Sequence, residues 1–104
     1  MLIVLDPGHT DKVNQGGHPS YYEGTEMYYF SHILKDILQA LGHTVSITRS
    51  GLCDNPSLEQ RGRSAKGADL FLSLHSDYAG LKNQVIIFDD MNPNYANPGL
   101  AKSF

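Results

Sequence analysis

The chain is short of the features that mark several protein classes. One cysteine, Cys53, stands among 104 residues, so no internal disulfide can form. It lies in a polar loop, Ser50-Gly-Leu-Cys-Asp-Asn-Pro56. No neighbouring residue there activates a thiolate, and it reads as a tolerated loop thiol rather than a nucleophile. Charged residues make up 18% with a net charge of -3, and no basic cluster occurs. Nothing therefore gives the footprint of a nucleic-acid partner. No apolar run approaches the ~20 residues of a membrane span. There is no repeat, no low-complexity segment and no glycine-rich strand-to-helix loop of the kind that cradles phosphate. Met1 leads straight into an apolar strand, so no signal peptide is expected. Export would need another route or a longer parent protein.

What is present is an ordinary globular composition, 40% hydrophobic, in a length that suits one domain spanning residues 1–104. Residues 2–5, Leu-Ile-Val-Leu, predict a short buried strand that Asp6-Pro-Gly8 stop. Residues 6–23 are rich in Gly, Asn, Asp and Pro and form a long loop, which in a compact domain is usually functional or disordered. Tyr21 and Tyr22 suggest that it packs or binds something. A helix to about Leu41 follows, with Met27, Phe30, Leu34, Ile37, Leu38 and Leu41 on one apolar stripe and Gly42 as its stop. Thr44-Val-Ser-Ile-Thr48 alternates like a strand. Ser57 and Gln60 have capping-box spacing at the start of a second helix that runs to about Lys66. Residues 69–74 and 84–88 predict two more strands, and the last residues resemble the beginning of a helix.

Strands alternating with helices imply an α/β fold: a three-layer open sheet of about four strands, mostly parallel, flanked by helices. Residues 76–83 are too short a link for a parallel crossover, which usually needs about a dozen residues or more. The fourth strand is therefore expected to run antiparallel, giving a mixed sheet.

Two apolar strands end in a histidine, His9 after the first and His75 after the third. In open α/β sheets ligands bind beyond the C-terminal strand ends where the strand order reverses, so these imidazoles converge if their strands are neighbours. Two imidazoles and a carboxylate are a ligand set for zinc, whose catalytic sites keep three protein ligands and one open position. Glu23 and Glu26 compete for the third place. Helix phase extrapolated back from the apolar stripe favours Glu23. Glu23 also has capping-box spacing from Ser20, so spacing alone leaves it divided between helix cap and metal ligand. His18 lies in the long loop that should border the site, whereas His32 and His43 read as structural. Asp6 and Asp77 are candidates for orienting the ligands or meeting substrate, and Asp6 reads equally as a turn former before Pro7.

These residues resemble the zinc-dependent N-acetylmuramoyl-L-alanine amidases, family 3 type, of bacterial cell-wall hydrolases and phage endolysins. The resemblance runs through Leu5-Asp-Pro-Gly-His9, Tyr21-Tyr-Glu-Gly-Thr-Glu-Met27, Val45-Ser-Ile-Thr-Arg49, Asn55-Pro-Ser-Leu-Glu-Gln-Arg-Gly62 and Ala68-Asp-Leu-Phe-Leu-Ser-Leu-His-Ser-Asp77. It implies Zn2+ held by His9, Glu23 and His75, which decides the division at Glu23. It also implies cleavage of the amide between N-acetylmuramic acid and the L-alanine of the peptidoglycan stem. The resemblance places the action at the cell wall, through another export route or as a phage lysin made in the cytoplasm. The family uses a second glutamate near its C-terminal end as general base, and no residue after His75 matches it. The chain is thus expected to be the N-terminal part of the family domain. It should hold the metal site, lack the late catalytic group and be prone to self-association. The alternative is a non-catalytic module that binds zinc and wall peptide.

Overall fold

The computed structural model describes residues 1–76. Three strands and two helices alternate: β1 (Leu2–Pro7), α1 (Glu23–Ala40), β2 (Thr44–Ile47), α2 (Leu58–Ser64) and β3 (Leu70–Leu74). The expected strand at residues 84–88, its antiparallel pairing, the terminal helix and Asp77 lie outside the described residues. The sheet has the order β2-β1-β3, and both pairings are parallel. Going from β1 to β2 the chain moves one way across the sheet, and from β2 to β3 it moves back. Right-handed crossovers therefore put α1 and α2 on opposite faces. The fold is an α/β sheet flanked by helices, as the alternation of elements implied.

Parallel register decides what each face contains. Ile3 lies beside Val45 and Leu70, and Leu5 beside Ile47 and Leu72. These residues make one apolar face, against which Leu34 and Leu38 of α1 pack. Full burial of a side chain such as Leu5 is worth about 1.5–3 kcal/mol. The opposite face carries Val4 and Phe71, then a polar row in which Asp6 lies beside Ser73. Strand β1 continues two residues beyond the apolar run, through Asp6 and Pro7. The Asp6 carboxylate is fully hydrogen-bonded there, which is what lets a charged residue extend a central strand.

Helix α1 differs from the stripe drawn on hydrophobicity. Leu34 and Leu38 face the sheet, but Phe30, Ile37 and Leu41 are exposed. The inward face instead runs through Gly24 and the fully buried Ser31. Both are small, so the helix backbone can approach the sheet and loop closely. Ser31 returns its hydroxyl hydrogen to the Tyr28 carbonyl at 2.6 Å, which removes the cost of burying it. No helix among the described residues is long and apolar enough to cross a membrane.

The two helices start differently. Helix α2 has the expected capping box: the Gln60 N–H donates to Ser57 Oγ and the Ser57 N–H donates to Gln60 Oε1. At α1 the cap is Tyr22, which has no capping side chain, and the N–H groups of Glu23 and Gly24 donate to the Asn14 and Val13 carbonyls. The long loop itself therefore caps α1, and Glu23 is the first residue of the helix rather than a capping glutamate. A Cβ at Gly24 would come within 1.7 Å of the Thr10 carbonyl oxygen, so only glycine allows this junction.

The junction makes a stability prediction. Gly24→Ala forces loop and helix apart and is expected to lower unfolding stability by about 2 kcal/mol or more, the range of an overpacked backbone contact. Gly62→Ala, whose added methyl meets nothing within 4 Å, should leave stability unchanged or raised. Urea denaturation of both variants measures the difference.

Candidate metal centre

Each residue of the site is delivered by a different element. His9 lies just past β1, Glu23 opens α1 and His75 follows β3. The strand order reverses between β1 and β3, so the two histidines flank the crevice in which α/β sheets bind their ligands. Gly8 makes the approach possible, since a Cβ there would lie 2.5 Å from the His75 ring. His9 has a left-handed backbone, φ 61°, which costs a non-glycine residue roughly 1–3 kcal/mol. That strain is held by the surrounding hydrogen bonds at a point where it turns the imidazole toward Glu23.

The three side chains meet. His9 Nε2 is 3.3 Å from Glu23 Oε2, and His75 Nδ1 is 3.0 Å from Glu23 Oε1. The rings stand edge to face with centroids 5.3 Å apart. One donor atom from each residue can be chosen so that all lie within 4.8 Å of one another. Two imidazoles and one carboxylate at this spacing fit a cation with three protein ligands and an open position, the arrangement of catalytic zinc.

Glu23 is 5% exposed, and its carboxylate is nonetheless the charged form. Burial raises its pKa. The Asn14 amide, the Ser76 N–H, electrostatic attraction to His9 and the His75 hydrogen bond together outweigh burial, and the value falls below the usual 4.5. Asn14 Nδ2 donates to Oε2 at 3.0 Å and the Ser76 N–H to Oε1 at 2.9 Å. The start of α1 adds the favourable end of the helix dipole.

Two buried arginines brace the backbone around these side chains. Arg61, 6% exposed, pairs with Asp6 Oδ1 at 3.0 Å and donates to the Pro7, His9 and Pro56 carbonyls. Arg49, 2% exposed, donates to the Gly8, Gly24 and Leu52 carbonyls and lies 5.0 Å over the Tyr28 ring. Arg49 thereby ties the loop bearing His9 to the helix bearing Glu23. A guanidinium suits this task because its donors are fixed in one plane and its charge persists on burial.

Beside Glu23 lies a cavity of about 590 Å³, lined by Asn14, Gln15, Gly16, Gly17, His18, Tyr21 and Ser76. His18 thus borders the site, as its loop suggested, with its Nδ1 accepting from the Ser20 hydroxyl at 2.7 Å. Asp6 does not touch either imidazole directly; it reaches the His75 ring through Ser73 and the His9 backbone carbonyl through Arg61. Glu26 is exposed. His32 packs on Tyr28 and His43 meets the N-terminal ammonium, both outside the cluster. Sequence reasoning did not single out Asn14, Ser73 or Ser76. Their parts depend on contacts across the fold, and only Ser73, one place into the alternation from Leu72 and Leu74, carried a signal that it shares a face with Asp6.

The fold and the cluster define an α/β protein with a candidate metal centre at its topological switch point. A family model described as N-acetylmuramoyl-L-alanine amidase matches residues 3–99, and the chain belongs to that family. No curated protein and no solved structure matches it.

The electrostatics of Glu23 give a pH prediction for the metal-free protein. A folded-state value below the usual 4.5 means that Glu23 stabilises the fold fully above that pH and loses its contribution as pH falls through the lowered value. Urea midpoints measured downward from neutral pH should drop more steeply in the wild type than in Glu23→Gln. Glu26→Gln should follow the wild type. Superimposable wild-type and Glu23→Gln profiles would contradict the assignment.

Proposed function

We propose that the protein is a zinc-dependent N-acetylmuramoyl-L-alanine amidase that hydrolyses the amide between N-acetylmuramic acid and L-alanine in peptidoglycan. It acts at the cell wall, in wall turnover or lysis. The observation that carries this reading is the His9, Glu23 and His75 cluster at the sheet's switch point, in a chain whose family model is that amidase.

When bound, zinc supplies a water of lowered pKa and polarises the scissile carbonyl. The chain's own residues bind and orient. His9, Glu23 and His75 hold the ion. Asn14 and the Ser76 N–H fix the carboxylate of Glu23, leaving each imidazole nitrogen a defined approach. The adjoining cavity, bordered by Gln15, Gly16, Gly17 and His18, would receive the stem peptide.

A second reading, a zinc- and wall-peptide-binding module without turnover, is favoured by one observation: no glutamate follows His75 in the sequence. A positioned acid or base contributes roughly 10²–10⁴-fold to such a hydrolysis. The 104-residue protein is therefore expected to bind zinc and to release muropeptides slowly. A form extended through the rest of the family domain should release them faster by that order, and a chelator should abolish both. Equal turnover by the two forms would show that residues 1–104 suffice for the hydrolysis.

Metal content tests the site independently of turnover. One zinc per chain is expected, lost in His9→Ala and His75→Ala. Glu23→Gln should weaken binding by at least about 10-fold, the scale of changes around a metal, while Glu26→Gln stays at the wild-type value. Full zinc content in both histidine variants would refute the site.

A further inference from the structure

The Asp6 carboxylate is buried on the face of the sheet opposite the apolar core, and both its oxygens are committed. Oδ1 accepts from Thr48 Oγ1 at 2.7 Å and from Arg61 Nη1 at 3.0 Å. Oδ2 accepts from Ser73 Oγ at 3.0 Å. Parallel register sets this row, because Asp6 and Ser73 are direct neighbours on β1 and β3. Each arm then continues to a different histidine. Arg61 passes from Asp6 to the His9 carbonyl, at 2.8 Å. Ser73 passes from Asp6 to the His75 ring, its Oγ lying 3.1 Å from Nε2.

The direction of the second arm follows from counting hydrogens. The single hydroxyl hydrogen of Ser73 is donated to Asp6, since an ionised carboxylate only accepts. Ser73 Oγ can then only accept from His75, so Nε2 carries the ring hydrogen. Nδ1 is thereby the ring nitrogen turned to Glu23 Oε1, at 3.0 Å, and is the one that would face a cation held by that carboxylate. Ligating histidines are commonly held in this manner, with the remote ring nitrogen donating to an oxygen that fixes the tautomer.

We infer that Asp6 is a positioning residue for both histidines of the metal centre, setting the tautomer of His75 through Ser73 and the backbone of His9 through Arg61. The inference rests on the zinc reading of the site. Without the serine hydroxyl, the half-exposed His75 ring is free to turn and present either nitrogen. Without the arginine fork, the left-handed conformation of His9 loses its carbonyl partner.

Ser73 allows a clean test because it is exposed and makes no contribution to the apolar core. Zinc affinity is measured by chelator competition in the wild type, Ser73→Ala, Ser73→Thr and the control Ser46→Ala, an exposed serine on β2. Nitrogen-15 NMR of the zinc-loaded proteins reports which His75 nitrogen holds the metal. Ser73→Ala is expected to bind zinc about 10-fold or more weakly and to show loss of exclusive Nδ1 ligation. Ser73→Thr, which keeps the hydroxyl, should restore both, and Ser46→Ala should match the wild type. Arg61→Lys, which keeps the charge opposite Asp6 but not the fork, should weaken zinc by a similar factor. Wild-type affinity and Nδ1 ligation in Ser73→Ala would overturn the inference while leaving the zinc centre standing. A wild type that binds no zinc would overturn both.

Discussion

The buried ion pair between Asp6 and Arg61 is the constraint on which the functional end of the molecule depends. Taking two charges out of water costs several kcal/mol per ion, and attraction between them repays this only when the remaining hydrogen-bonding capacity is also satisfied. Here it is satisfied. Asp6 receives Thr48, Arg61 and Ser73, and Arg61 spends its other donors on the carbonyls of Pro7, His9 and Pro56. Removing either partner would strand a charge in the interior. The pair thus locks helix α2, the end of β1 and the start of the loop into one arrangement.

Arg49 applies the same logic on the other side of the loop. Its contacts to the Gly8 and Gly24 carbonyls bridge the first strand and first helix where their functional residues emerge. Both arginines act on main chain rather than on the functional side chains. This suits a site in which the positions of His9 and Glu23 are set by strained or capless backbone: a left-handed residue in one case and a helix start without a capping side chain in the other. The stabilising contacts and the strain occur together, as they do where geometry serves chemistry rather than stability.

The three candidate ligands are gathered by the fold itself. Glu23 keeps its charge despite burial because four neighbours favour the ionised form, and the two imidazoles already lie on either side of it. The cavity beside it is lined by the loop that also caps α1, so the same residues fix the carboxylate and shape the approach to it.

Much of this was determined by the sequence alone. Apolar runs bounded by glycine and proline gave the strands, and capping-box spacing gave the start of α2. The placement of His9 and His75 at two strand ends pointed to a shared site, and the blocks around them pointed to the amidase family. Local chemistry carries such signals because strand and cap formation depend on near neighbours. The tertiary structure decided what depends on distant ones. It turned α1 so that Ser31 rather than Phe30 faces inward, because close packing rewards small residues as much as apolar ones. It capped α1 with the loop carbonyls of Val13 and Asn14, a contact that no local spacing announces. And it gave Asp6 its partners, since the register of three parallel strands, invisible in any one of them, sets that carboxylate beside Ser73 and Thr48 and beneath Arg61.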